Sequence, residues 1–222
     1  MNTAILQLLV LAGVALFLIL RLKSVLGTRE GFEKSQTGQT ASGGNGSARR
    51  ADFEVIEGGP DADITEHFQE GTDAAKALAA MKMAEPDFTV SEFVSGARGA
   101  YEWILMAYET GDLSEVRPFL SEDVATSFQD VIDMRADKGL SVEASFVGLR
   151  NIELADAKFD RESGEAEITV RYTGELTYTV RDHDGEIVEG DPQEVRRQHD
   201  VWTFARRLGV DDPNWQLVAT GE

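Results

Sequence analysis

The sequence predicts an α+β fold, with helices packed on one face of a curved antiparallel sheet. Three observations predict it. From residue 61 to residue 139 apolar residues recur at helical spacing; from Ser141 onward they alternate every second residue. Helices first and strands afterwards segregate the helices to one side of a single sheet. The third is Ala166–Val180. Its even positions are apolar or small (Ala166, Ile168, Val170, Tyr172, Gly174, Leu176, Tyr178, Val180) and its odd positions polar (Glu167, Thr169, Arg171, Thr173, Glu175, Thr177, Thr179). That is one strand with a wet face and an apolar face, far longer than the usual five or six residues. Such a strand must curve, and Gly174 at its middle marks a bend or bulge.

The elements follow in chain order. Thr3–Leu20 is eighteen residues without a charge, a length of roughly 27 Å as a helix and close to a bilayer span. No Lys or Arg precedes it, and Arg21, Lys23, Arg29 and Lys34 follow. Residues 1–22 therefore read as an uncleaved transmembrane anchor whose C-terminal side stays in the cytoplasm. Residues 23–60 form a Gly/Ser-rich linker, clearest in Ser35–Ser47; about 40 such residues span about 35 Å. Phe53, Val55 and Ile56 interrupt it, as a docking motif or incidentally. Residues 61–85 form an amphipathic helix over Asp61–Met83, with Ile64, Phe68, Gly71, Ala75, Leu78 and Met81 on one stripe. Its acidic polar face argues against a membrane surface and leaves packing on the domain or binding a partner.

Residues 86–222 form the α+β domain. Thr89–Thr110 is the strongest helix: Thr89 and Glu92 match a capping box, and Val90, Phe93, Val94, Ala97, Tyr101, Ile104, Leu105 and Tyr108 form its stripe, with Gly111 as stop. A short helical turn over Leu113–Phe119 precedes a helix capped by Ser121 and running to about Lys138, with Val124, Phe128, Val131 and Ile132 inward. Val142, Ala144 and Phe146 open the first strand. Asp160–Gly164 is a turn, and Asp182–Gly185 a hairpin turn after the long strand. Ile187 and Val188 begin a short return interrupted by Pro192. Val195–Phe204 and Trp215–Thr220 close the sheet.

Of 222 residues, 21 are Lys or Arg, 40 are Asp or Glu and none is Cys, for a formal net charge of -19. Residues 1–50 hold six basic and two acidic side chains (+4), and residues 51–222 hold fifteen and thirty-eight (-23). Without cysteine there is no disulfide, thiolate zinc site or cysteine nucleophile. An acidic domain repels phosphate backbones, so nucleic acid is not an expected partner and a ribosome-associated module is disfavoured.

The ends of the domain resemble a known family. Residues 86–139 carry Phe88, Phe93, the Ala100–Ala107 core, the Gly111-Asp112 turn, Leu120, Phe128 and Arg135; residues 201–222 carry Trp202-x-Phe204 and Pro213-Asn214-Trp215-x-Leu217. Both resemble the Tim44-like domain, named for the scaffold of the mitochondrial inner-membrane import motor, over about Gly71–Glu222. The resemblance implies a cone-shaped fold related to nuclear transport factor two, with a hydrophobic cleft, and an adaptor rather than an enzyme. The scaffold's basic, chaperone-recruiting N-terminal region is not matched. The anchor and linker standing in its place resemble the bacterial, membrane-anchored branch, so motor activity does not carry over.

No catalytic, metal or cofactor site is expected. Three His are spread over the chain: His67 in the first helix, His183 between Asp182 and Asp184 in a turn, and His199 beside Asp200 in a strand, where neighbours face opposite sides. Turn chemistry accounts for Asp182-x-Asp184-Gly185. The expected site is the apolar side of the cone, with Tyr101, Ile104, Tyr108, Phe128, Ile132, Tyr172, Tyr178, Trp202 and Phe204 lining a pocket; the same residues would serve equally as plain core. Two functions fit: an adaptor for membrane proteins or protein-translocation and assembly components, held at a bacterial inner membrane through residues 3–20, or a cone binding a lipid or small hydrophobic ligand.

Overall fold

The computed structural model describes residues 61–221. The hydrophobic stretch 3–20 and the linker 23–60 lie outside the described residues. Among the described residues no helix is long and apolar enough to cross a membrane.

The stretch 61–85 is not one helix. It forms a helical turn, α1 (Ala62–Thr65), and a separate helix, α2 (Asp73–Ala84). Gly71 takes a φ of 83°, and Thr72 then accepts the Ala75 amide at 3.2 Å on its hydroxyl. The first helix closes at Glu66, whose amide returns to the Ala62 carbonyl, and after the left-handed Gly71 the Thr72 N-cap starts the second. The apolar stripe is still used as one surface: Ile64, Ala75, Leu78 and Met81 are buried, and α2 lies on the first strand.

Helix α3 (Val90–Thr110) is the central element. The Thr89 hydroxyl accepts the Glu92 amide at 3.2 Å and donates to the Glu92 carboxylate at 3.0 Å; Gly111, at φ 81°, ends the helix. A second cap comes from α1. The Asp63 carboxylate accepts the amides of Val90 at 2.8 Å and Ser91 at 2.9 Å, and Lys82 donates to it at 2.9 Å. The predicted turn before the next helix shrinks to a 3₁₀ turn, Arg117–Phe119, with Pro118 at its start. Helix α4 (Glu122–Asp137) follows, with the Ser121 hydroxyl accepting the Val124 amide at 3.3 Å.

Four strands make one antiparallel sheet in the order β1-β2-β3-β4: β1 (Ser141–Phe159), β2 (Glu165–Arg181), β3 (Ile187–Arg207) and β4 (Gln216–Gly221). The alternation predicted for β2 holds from Ala166 to Leu176 and fails beside the register shift at Thr177/Tyr178, where Thr179, expected on the wet face, is fully buried and its hydroxyl donates to the Glu143 carbonyl at 3.4 Å. Ile168 and Val170 are fully buried and Leu176 nearly so, while Thr169 meets Thr203 at 3.0 Å and Glu175 meets Arg150 at 2.8 Å on the other face. The short return at Ile187 is instead one strand running to Arg207. Thr177 pairs with Val195 and Tyr178 with Asp191, so residues 192–194 bulge out of the ladder. Pro192, which has no amide to donate, sits where none is needed. Edge strand β1 carries three register irregularities, which bend the sheet and blunt its exposed edge.

Gly174 lies opposite one of those β1 irregularities, between the Leu149 and Asn151 pairings, while its own pairing with Gln198 is regular. Its use is close approach. A Cβ there would lie 2.6 Å from the Tyr101 hydroxyl oxygen and 3.0 Å from the Tyr101 ring. Tyr101 is fully buried and hydrogen-bonded, so it has nowhere to move. Gly174→Ala is therefore expected to destabilise the domain by about 1–3 kcal/mol, read as a lower urea midpoint at unchanged slope.

Candidate functional site

An apolar groove of about 510 Å³ runs along the N-terminal half of α3. Its walls are aromatic. Phe88 and Phe93 stand beside Trp215, at ring distances of 6.0 and 4.8 Å, and Trp103 tilts against Phe119 at 5.3 Å. Ile104 and Phe204 form the deep side. The floor is bare helix: Gly96 and Gly99 line the groove, and a Cβ on either would meet nothing within 4 Å. A glycine inside a helix costs about 1 kcal/mol relative to alanine, and α3 carries two of them on its open face. Trp103 is 42% exposed, although every other aromatic ring in the groove is at least partly buried.

The loops that shape the groove are tied together at one end. Glu85, which caps α2, takes Arg206 of β3 at 2.5 Å and accepts the Gly209 amide at 3.2 Å; Arg206 also donates to the Asp212 carbonyl at 3.1 Å. This clasp joins the α2–α3 connection to the β3–β4 connection, which carries Pro213, Asn214 and Trp215 into the groove. Asp87 and Glu92 add negative charge to the rim.

The nine residues expected to line a pocket divide among several places. Ile104 and Phe204 reach the groove. Tyr101, Tyr172 and Trp202 are buried in the core: the Tyr101 and Tyr172 rings stack at 4.3 Å with Trp202 at 4.8 Å from Tyr101. Tyr101 donates to Asp200 at 2.5 Å and Tyr172 to the Ala97 carbonyl at 3.1 Å. Burial, with Asp200 adding to it, holds both phenols well above their usual pKa, so they remain donors. Tyr108 and Phe128 pack at 4.6 Å between α3 and α4, with Ile132 half-buried nearby. Tyr178 lines a separate polar cavity. Helix α3 crosses the inner side of the sheet, and among the described residues the groove and this polar cavity lie towards its opposite ends.

The groove's other aromatic residues, Phe88, Phe93, Trp103, Phe119 and Trp215, come from a helix, two connections and a 3₁₀ turn, which periodicity cannot bring together. One signal was available in the sequence: Gly96 and Gly99 sit three residues apart inside a strong helical pattern, a costly placement that marks a face kept bare.

The three histidines lie apart, and His67, expected within a helix, falls in the turn after α1. His183 lies 3.2 Å from Asp184 in the exposed hairpin turn. The side chains of Asp182, His183 and Asp184 come within 4.8 Å of one another, but Asp182 already accepts the amides of Asp184 and Glu186, both at 3.0 Å. His199 points to the outer face and meets the Thr173 hydroxyl at 3.2 Å.

The family model of the Tim44-like domain matches residues 74–222, from α2 to the end of the chain. The chain belongs to the Tim44-like domain family. Among curated relatives of this Tim44-like chain, mitochondrial import inner membrane translocase subunit TIM44-1 of Arabidopsis thaliana is 22% identical over 162 residues, which is 70% of this chain and 34% of that protein. Human mitochondrial import inner membrane translocase subunit TIM44 is 26% identical over 150 residues, 66% of this chain and 33% of that one. The chain thus spans about a third of the length of the curated relatives it matches. Among solved structures it is similar to the intermembrane space region of the chloroplast protein ARC6, with a TM-score of 0.39 and 12% identity over 58% of this chain and 94% of that one.

Proposed function

We propose that this protein is a non-enzymatic adaptor, held at a bacterial inner membrane by residues 1–22, with its Tim44-like domain on a cytoplasmic leash. The domain takes an apolar segment of a membrane protein, or of a translocation or assembly component, into the aromatic groove. The groove carries this reading: it is apolar inside, acidic at the rim, and has an exposed tryptophan at its edge, the residue type most enriched among interface hot spots. An apolar segment flanked by basic residues suits it. Tethering through the linker raises the domain's effective concentration near membrane partners without any further contact.

The test uses the full chain in detergent extract. Gly96→Leu with Gly99→Leu places two side chains in open space and fills the groove. Each change also replaces a helix glycine, so stability is expected to rise by about 0.5–1 kcal/mol per site. Recovery of partners by affinity capture should fall by about tenfold or more. Equal recovery by the filled and the native groove would overturn the reading, since the filled protein is at least as stable. A lipid retained in native mass spectrometry of the native protein, and lost from the filled one, would favour the lipid-binding cone instead.

A further inference from the structure

The two ends of the aromatic groove differ in charge. Its charged lining residues, Glu85, Asp87, Glu92 and Arg206, stand toward the start of α3; past Gly99 it is lined by Ala100, Trp103, Ile104 and Phe119. Arg206 and Glu85 neutralise each other in the clasp. Asp87 and Glu92 are exposed, and among the described residues neither has a cationic partner. Glu92 accepts the Thr89 hydroxyl at 3.0 Å.

The neighbouring cations are engaged elsewhere. Lys82 donates to Asp61 at 2.7 Å and to Asp63 at 2.9 Å. The positive end of the α3 dipole lies here too, but Asp63 and Thr89 already accept the Val90, Ser91 and Glu92 amides. Toward the other end, Arg117 of the 3₁₀ turn pairs with Glu122, and Arg98 and Glu102 of α3 are exposed and do not line the groove. The groove is thus an apolar trough with two uncompensated carboxylates at one end and none at the other.

A cation set down at the Trp103 end loses water and gains no partner, whereas at Asp87 and Glu92 it gains two. The groove therefore selects a segment whose charge is as one-sided as its own. Membrane-spanning helices have this pattern, because Lys and Arg gather beyond their cytoplasmic ends. Outside the bilayer such a helix leaves its apolar run in water, and the groove removes it from water. We propose that the groove takes the cytoplasmic end of a membrane-spanning segment before that segment enters the bilayer. Its terminal Lys or Arg sits at Asp87 and Glu92, and its apolar side chains run over Gly96 and Gly99 toward Trp103. This inference rests on the adaptor reading and gives the bound segment a direction.

The test is fluorescence anisotropy on the full chain in non-ionic detergent, with two labelled peptides that share one core of leucine and alanine. One is uncharged; the other ends in a pair of lysines. The native chain should bind the lysine-ended peptide about three- to tenfold more tightly. Asp87→Asn with Glu92→Gln should abolish that preference. Asp130→Asn with Asp137→Asn removes the same charge from α4 and should leave it intact, which rules out a general effect of the acidic domain. All four side chains are exposed, so both variants should unfold near the native midpoint. A photoreactive group on the apolar end of the lysine-ended peptide should label residues 100–119. Four results would each overturn the inference: equal binding of the two peptides by the native chain, a preference kept without the Asp87 and Glu92 carboxylates, its loss in the α4 variant, or labelling at residues 85–92. The groove reading survives any of these if Gly96→Leu with Gly99→Leu abolishes binding of both peptides. Binding by the filled groove, or none by the native one, would overturn both.

Discussion

Tyr101→Ala is expected to lower the stability of the domain by about 4 kcal/mol, more than Gly174→Ala or Asp63→Ala. Tyr101 is fully buried, with its ring stacked on Tyr172 at 4.3 Å, 4.8 Å from Trp202 and 6.1 Å from Phe146, so truncation opens a void at the centre of the sheet. It also removes the hydroxyl that donates to Asp200 at 2.5 Å. Tyr101→Phe separates the two parts. It keeps the ring and removes the donor, leaving buried Asp200 with Gln198 alone, and should cost about 1–3 kcal/mol. Urea unfolding of the three proteins checks this. If Phe costs as much as Ala, the hydrogen bond and not the packing governs the site. If neither costs more than about 1 kcal/mol, the aromatic stack is not the centre of the core.

Asp63→Ala is expected to cost about 2–3 kcal/mol, although the residue belongs to a helical turn of four residues, Ala62–Thr65. Its carboxylate caps α3 from a distance of 27 positions in sequence and pairs with Lys82, at 18% and 23% side-chain exposure. Partial burial raises its pKa, but the hydrogen bonds from Ser91 and Lys82, and then from the Val90 and Ser91 amides, outweigh this and hold the carboxyl far below the ordinary 3.8. A depressed folded-state pKa fixes the sign. The contribution is fully present above the unfolded value near 3.8 and is lost as pH falls through and below it. The stability gap between native protein and Asp63→Ala should be constant from neutral pH to about pH 5 and close progressively below about pH 4. A gap independent of pH down to about pH 2 would mean that Asp63 acts through packing instead of charge. The effect ties α1 to the fold: without Asp63, Ile64 and the Asp61–Lys82 pair at 2.7 Å are left to hold α1.

The elements that could be read from the sequence are those in which one periodicity meets one burial pattern. The stripe of α3, its Thr89 cap and Gly111 stop all concern residues close in sequence. So do the Ser121 cap of α4, the Asp182 turn and the alternation of β2. The structure departs from those patterns where a backbone event cuts across a continuous one. Ile64, Ala75, Leu78 and Met81 of the stripe are buried together even though the helix beneath them is broken from Glu66 to Thr72, because burial depends on direction while helix continuity depends on local φ and caps. Pro192 suggested an interruption; a bulge lets the strand pass it.

By itself, then, the sequence determined the order of helices and strands and the inner face of β2 from Ala166 to Leu176. Only the tertiary structure decided how the inner side of the sheet is divided. Tyr101 lies on Gly174 and fills the middle of the sheet, which separates an aromatic groove at one end of α3 from a carboxyl-lined cavity at the other. Periodicity reports which way a side chain faces relative to its own element. Whether the space in front of it is filled depends on side chains far away in sequence, and those meet only when the chain has closed.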